Sequence, residues 1–202
     1  MAYLRRHGWV AGLAVGLLLG LMIGGLWPDT PLHAVATDRG EDFAMCTGFV
    51  DDDVEAIYFL DFLTGTLRAG VLSNVPQSPG FQAIYEGNVN AALATAIQTR
   101  NAGLVQMNAA RRREGAAPLP ELEMPQSPRY LMVTGAIDMR RTPGMRQHFP
   151  PSALYIAETT TGIVLTYVLP WDRQRHQANL PFSAPLTPWN AEQFTAALIQ
   201  TE

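Results

Sequence analysis

The side chains that could carry out chemistry are few and lie far apart in the chain. The four histidines are His7, His33, His148 and His176, and no two have the i, i+4 or His-x-His spacing that places two metal ligands on one element. The chain also lacks a Gly-x-Ser-x-Gly elbow, a Gly-x-x-x-x-Gly-Lys phosphate loop and a Gly-x-Gly-x-x-Gly fingerprint. Because catalytic groups can converge from distant positions, these absences only lower the expectation of an enzyme. We assign no catalytic, cofactor-binding or metal-binding residue and expect a non-enzymatic protein without a cofactor.

The densest acidic cluster is the run of three aspartates at 51–53. Its oxygens suit Ca²⁺, but the run lacks the alternating spacing and the distant Glu of a dedicated calcium loop. We interpret it as the solvated tip of a hairpin. The corresponding connection in the second half is basic, with Arg140, Arg141, Arg146 and His148. One hypothesis is that the two oppositely charged tips dock between neighbouring molecules, and the alternative is two unrelated surface loops, since exposed charge pairs contribute little.

Cys46 is the only cysteine, so the chain cannot form an intrachain disulfide. No neighbouring His or Lys pattern would activate this thiol, and we predict a small buried hydrophobe in a strand. The aromatic residues Tyr167, Trp171 and Trp189, with His176, could line a pocket, although aromatics at strand ends more often close a core.

Composition excludes one class of partner. The 202 residues carry a net charge of −4 and include no lysine. Nucleic-acid binding needs clustered Lys and Arg to neutralise phosphates, so we expect no nucleic-acid partner. The only basic run, at 111–113, falls at the end of a predicted helix, where cations complement the helix dipole.

The elements that must position these residues begin with an apolar stretch at 9–27, which is 19 residues long and uncharged. At about 1.5 Å per residue it reaches roughly 28 Å, close to the hydrocarbon thickness of a bilayer. Trp9 and Trp27 stand at interfacial positions. The sequence therefore predicts one transmembrane helix at 9–27, with the lipid bilayer as a partner.

The charges flanking this stretch predict its orientation. Arg5 and Arg6 lie in the N-terminal tail, residues 1–8, so the positive-inside rule places that tail in the cytoplasm. A juxtamembrane linker at 28–40 then leads to an extracytoplasmic domain. The alternative is a secreted protein cleaved between Ala36 and Thr37, which the length of the apolar stretch disfavours.

Glycine recurs at every fourth position of the apolar stretch, at Gly8, Gly12, Gly16, Gly20 and Gly24. Residues four apart share one helix face, so the last four are predicted to form a smooth helix–helix interface. This interface predicts a homo-oligomer. The alternative is a helix without a partner, because glycine is common in membrane helices.

Two regions of the remaining chain repeat each other. Residues 45–51 match 132–138 at Met, Thr, Gly and Asp, and residues 56–67 match 153–164 at Ala, Tyr, the acid, Thr and Gly. Shorter matches continue in the same order and pair Asn88 with Asn190. The unbroken order indicates an internal duplication.

Each copy is predicted to fold as three strands followed by a helix, βββα. The first copy spans 41–113 and the second 129–202, and a proline-rich extended linker at 114–128 joins them. One such copy buries little surface alone, so we expect both to share one core in an α+β fold. The second helix is predicted to begin with Asn190 as N-cap.

The repeated acid-x-x-Thr-Gly sequence predicts a hairpin turn. Asp61 in the first copy and Glu158 in the second can accept hydrogen bonds from turn amides. Gly65 and Gly162 can adopt the positive φ that such a turn needs. These four residues are therefore predicted to be turn-forming.

The turn Leu60-Asp61-Phe62-Leu63-Thr64-Gly65-Thr66-Leu67 resembles the hairpin of quinoprotein-type β-propeller blades, a resemblance that implies a hairpin and no catalysis. The segments 24–28, 31–40 and 58–61 resemble a family of small membrane-anchored proteins of planctomycete-type bacteria with no assigned function. That resemblance implies an anchor, a domain and no chemistry, and together with the predicted span we expect a protein of the bacterial inner membrane.

Three functions remain open on this evidence. The first is a membrane-anchored envelope protein that self-associates as an assembly or scaffolding module. The second is an extracytoplasmic ligand-binding or sensing module, which should show a cavity lined by both copies. The third is an enzyme with an unrecognised site, which should show convergent titratable groups in a cleft.

Overall fold

The computed structural model describes residues 13–17, 20, 37–139 and 149–195. The chain divides into two compact units, Met1–Ala34 and Val35–Glu202. In the first unit residues 13–17 and Gly20 are helical and exposed. Within the described ranges, no helix combines the length and the apolar character needed to cross a membrane. Most of the predicted span at 9–27 and all of the tail at 1–8 lie outside the described residues.

The first half of the second unit forms an antiparallel sheet followed by a long helix. Along each strand, buried apolar side chains alternate with outward-facing side chains, because successive residues of a strand point to opposite faces. We call this sheet A, and its strands and helix are β1 (Thr37–Arg39), β2 (Phe43–Asp51), β3 (Val54–Asp61), β4 (Thr66–Leu72), β5 (Phe81–Asn88) and α1 (Val89–Arg113). The first copy thus contains four strands before its helix instead of three. Residues 37–39 of the predicted linker belong to the sheet.

Helix α1 begins where the sequence supplies a capping side chain. The Asn88 side chain accepts a hydrogen bond of 2.9 Å from the Ala91 N–H, and three arginines occupy the last turn. The proline-rich segment after α1 runs back along it. Asn101 and Asn108 each pair with the backbone of this segment, donating to and accepting from Leu122 and Leu119 respectively.

The elements of the second half are, in chain order, β6 (Tyr130–Ala136), β7 (Ser152–Glu158), β8 (Ile163–Tyr167), α2 (Arg173–Gln177), β9 (Phe182–Pro185) and β10 (Pro188–Gln193). Four of these strands form a smaller antiparallel sheet, sheet B, in the order β10-β8-β7-β6. Strand β9 instead pairs in parallel with β5 at the edge of sheet A. The helix predicted to start at Asn190 is wrong for 190–193, which pair with β8 as a strand. Residues 196–202 lie outside the described residues.

The inward faces of the two sheets and α1 share one hydrophobic core. Its largest fully buried side chains come from both halves and include Tyr58, Tyr85, Tyr130 and Tyr167. Sheet A and sheet B approach most closely where β2 meets β6. There the Thr134 hydroxyl donates to the Thr47 carbonyl, and the Ser152 hydroxyl donates to the Phe49 carbonyl over 2.6 Å. The fold is therefore a mixed α+β fold dominated by β-sheet.

Candidate functional site

The first hairpin turn joins β3 and β4. Asp61 Oδ1 accepts from the Leu63 N–H at 2.8 Å and from the Thr64 N–H at 3.3 Å, and Gly65 has φ +67°. Hydrogen bonds from Thr64, and then from Leu63, lower the pKa of Asp61. As its sequence predicts, the Asp61 carboxylate of this turn accepts hydrogen bonds from the turn amides.

The second turn, between β7 and β8, repeats this arrangement with a buried acid. Glu158 accepts from the N–H groups of Thr160 and Thr161, from the Thr161 hydroxyl and from the Arg129 N–H, and Gly162 has φ +68°. Burial alone would raise the pKa of Glu158, but these hydrogen bonds outweigh it, and the pKa is lowered.

The two hairpins also end alike. The Val89 N–H donates to the Gly65 carbonyl at 2.8 Å, and the Phe194 N–H donates to the Gly162 carbonyl at 2.9 Å. The side chain of Asn88 donates to the Thr64 carbonyl, and that of Gln193 donates to the Thr161 carbonyl, both at 3.1 Å. Asn88 therefore corresponds to Gln193, and the predicted pairing with Asn190 is off by three residues.

Although their turns match, the two hairpins bury opposite faces. Tyr58 is 1% exposed and points into the core, whereas its sequence counterpart Tyr155 points outward from sheet B and is half-buried. The same inversion is found at most other positions of the repeat, although Ala56 and its counterpart Ala153 are both buried. Buried Ala44, Cys46 and Val89 correspond to exposed Leu131, Val133 and Phe194, while exposed Met45 and Phe59 correspond to buried Met132 and Ile156.

This inversion leaves an apolar surface on the outside of sheet B. On β6, β7 and β8 the outward positions hold no charged side chain, although the solvent face of an antiparallel sheet is ordinarily polar. We call this surface the outer face of sheet B, and it consists of Leu131, Val133, Gly135, Tyr155, Ala157, Val164 and Thr166; Ala153 lies on the same side of β7 but is only 1% exposed.

The corresponding outer face of sheet A is also apolar at its centre. Phe43 and Phe59 stack with ring centroids 5.2 Å apart. An exposed ion pair, Arg68 Nε to Glu86 Oε2 at 2.8 Å, lies on the same face. We define the outer face of sheet A by Phe43, Met45, Thr47, Ile57, Phe59, Arg68, Gly70, Ile84 and Glu86.

The acidic tip predicted at 51–53 is only partly solvated. Asp51 is 5% exposed, and its Oδ2 accepts from Trp171 Nε1 at 2.9 Å. The Arg173 guanidinium bridges both carboxylate oxygens of Asp51 and reaches Asp52 at 3.1 Å. These partners lie about 120 residues away in sequence, so no local pattern could have indicated them. The tip serves as the anchor of α2.

A small pocket lies between α2 and β5. Gln82 is buried, and its Nε2 donates to the Arg175, His176 and Leu180 carbonyls. His176 packs on Trp171 with ring centroids 4.9 Å apart, and burial lowers its pKa. The pocket has a volume of about 10 Å³, room for a single water; of the predicted aromatic cluster Trp171 and His176 line it, whereas Trp189 lines the groove described next.

A wide groove of about 1060 Å³ runs between α1 and the β9–β10 segment. Both halves of the chain line it: Ala92, Ala96 and Arg100 from α1, and Pro188 and Trp189 from the second half. Arg100 Nε donates to Gln193 Oε1 across it at 2.6 Å. The arrangement offers an apolar wall and scattered polar groups, and no acid–base pair converges there among the described residues.

The glycine face, the cysteine and possible metal ligands were also considered in the sequence. At Gly16 and Gly20 an added Cβ would meet no atom within 4 Å, and Gly12 and Gly24 lie outside the described residues. Burial raises the pKa of the Cys46 thiol to about 12. Over the described ranges no three His, Cys, Asp or Glu side chains cluster as a metal site would require.

Comparisons with protein families, with curated proteins and with solved structures found no match to this chain. No relative therefore supplies a function, and the two outer faces and the groove are the features of this chain that can indicate one.

Proposed function

We propose that this protein is a non-enzymatic, membrane-anchored envelope protein that self-associates as an assembly module, and that the outer face of sheet B is a contact between copies. The single observation that carries the proposal is the absence of charge on the outward positions of β6, β7 and β8. Leu131 and Val133 are each about half exposed there. Exposed apolar patches rimmed by polar groups mark interaction sites.

The expected contact is weak. Three strands about 4.8 Å apart and three rows of outward side chains give a patch of roughly 300 Å². Stable interfaces bury about 800 Å² per partner, so one such patch supports only transient association. Tethering at 9–27 would raise the effective concentration of neighbouring copies and compensate for this weakness. The glycine face at Gly16 and Gly20 would then add a second contact within the membrane.

The test compares the oligomeric state of the full chain in detergent with that of two variants, by sedimentation and native mass spectrometry. Leu131→Glu places a charge on the outer face of sheet B and should shift the chain toward monomer. Val105→Glu is the matched control, since Val105 is an exposed apolar residue on α1, at 65% exposure, away from this face. We expect the control to associate as the unmodified chain does.

Two outcomes would reject the proposal. One is an unmodified chain that stays monomeric at every concentration, and the other is equal association of Leu131→Glu and Val105→Glu. Gly16→Leu and Gly20→Leu measure the contribution of the tether separately, because an added Cβ at either position meets no atom within 4 Å.

The groove favours a second candidate function, ligand binding by the extracytoplasmic domain. It is lined by both halves of the chain, and its volume of about 1060 Å³ suits a small molecule or a short peptide. Ala96→Phe would partly fill it. A ligand-binding function predicts that this variant loses capture of the ligand while the association of copies is unchanged.

A further inference from the structure

The two outer faces are the exposed counterparts of surfaces that already pack together inside each molecule. The inner face of sheet A, with Ala44, Tyr58 and Leu60, packs in one core with the inner face of sheet B, with Met132 and Ile156. By the repeat, the outer face of sheet B corresponds to the inner face of sheet A. The outer face of sheet A corresponds in the same way to the inner face of sheet B.

We infer that copies of this chain associate head to tail, with the outer face of sheet B of one copy docked on the outer face of sheet A of the next. This inference rests on the proposed function and specifies its geometry. A contact between two different faces does not close on itself after two copies, so it generates rows or rings instead of symmetric dimers. Each molecule then continues between copies the sheet-on-sheet packing that it has within itself.

The chemistry of the two faces supports this pairing. On the outer face of sheet A, Phe43, Phe59 and Met45 form an apolar centre. On that face Arg68 and Glu86 already neutralise each other, and a further acid, Glu55, lies opposite Phe49 at the end of the face. The facing positions on β6–β8 carry no charge, so docking on these three strands creates no like-charge contact; Glu192 lies beside Val164 on the edge strand β10.

The correspondence also explains why the contact between copies should be weaker than the internal one. Arg68 stands where the inner face of sheet B has Leu165, which is 1% exposed. Replacing a buried leucine by a solvated ion pair removes apolar area from the contact. Copies can therefore associate and dissociate while the core within each molecule stays intact.

The experiment uses two full-length variants, each with one face blocked, both in a Gly16→Leu, Gly20→Leu background that removes the proposed contact between the glycine faces. Val133→Glu blocks the outer face of sheet B, and Met45→Glu blocks the outer face of sheet A; the native side chains are 51% and 37% exposed. We expect each variant alone to be monomeric. An equimolar mixture should form a one-to-one complex and nothing larger, because each variant retains only one competent face.

Sedimentation of the single variants and of the mixture distinguishes the alternatives, with thermal unfolding to confirm that both variants are folded. If Met45→Glu alone forms dimers, the contact is a symmetric pairing of sheet B faces and the head-to-tail inference is refuted. If Val133→Glu alone forms dimers, the contact pairs sheet A faces and the inference is equally refuted. If the unmodified chain never associates, the proposed function itself fails. Both variants carry added negative charge, so an attraction between opposite introduced charges cannot produce the mixed complex.

Discussion

Glu158 and Asp61 occupy the same place in two matching turns but differ in burial, so replacing each should have unequal effects on stability. Glu158 is 1% exposed and accepts hydrogen bonds from the N–H groups of Arg129, Thr160 and Thr161. Glu158→Ala leaves three backbone donors without their acceptor. A buried donor left unsatisfied costs about 1–3 kcal/mol, and partial hydration of the space left by the carboxylate reduces the sum.

We therefore expect Glu158→Ala to lower the free energy of unfolding by about 3–5 kcal/mol. For a domain of this size each kcal/mol shifts the melting temperature by about 2–4 °C, so the expected shift is roughly 6–20 °C. Asp61→Ala is the matched control, since its turn donors are exposed to water that can replace the carboxylate. Denaturant unfolding of the full chain, followed by circular dichroism, measures both values.

The pH dependence provides a second measurement on the same residue. The pKa of Glu158 is lowered in the folded state, so its carboxylate contributes stability above its ordinary pKa of 4.5, and that contribution is lost as the pH falls below this value. In the Glu158→Gln variant, which has no carboxyl group at this position, this part of the loss of stability at low pH should be absent. Equal destabilisation by Glu158→Ala and Asp61→Ala, or an unchanged acid limb in Glu158→Gln, would refute the reasoning that the buried, ionised Glu158 carboxylate stabilises the second turn.

Three further predictions concern other parts of the domain. Gly162→Ala should destabilise the domain by at least about 1–2 kcal/mol, because φ is +68° and an added Cβ would overlap the Thr195 side chain. Gly103→Ala is the control: an added Cβ there meets no atom within 4 Å, so this change within α1 should stabilise the domain by up to about 1 kcal/mol. Asp51→Ala removes the buried partner of Arg173, so it should lower the free energy of unfolding by about 3 kcal/mol and detach α2 from the domain. Faster amide exchange at 173–177 would show this detachment, and unchanged exchange there would contradict the anchoring role. Cys46 should not react with thiol reagents at neutral pH in the folded chain, and modification at the rate of an unfolded control would show that it is accessible.

Much of the local structure could be predicted from the sequence. The turn residues, the Asn88 cap and the extended proline-rich segment depend on side chains within a few positions of the backbone that they bind. The anchor at 9–27 and its glycine face remain predictions.

The second helix shows where local reading failed. Asn190 is a residue type favoured at helix N-caps, but hydrogen bonds with β8 hold 188–193 as a strand. Pairing between strands outweighs helix propensity when an open edge lies within reach. The parallel pairing of β9 with β5 has no local signal either, because it joins residues about 100 positions apart.

The sequence by itself determined the two hairpins and their turns, because a turn is closed by atoms that are neighbours along the chain. Which face of each hairpin is buried was decided only by the tertiary structure. A strand presents one set of side chains to each side, and Ala-x-Tyr occurs in both copies with Tyr58 inside and Tyr155 outside. The choice depends on what packs above and below each sheet, and that information is distributed over the whole chain.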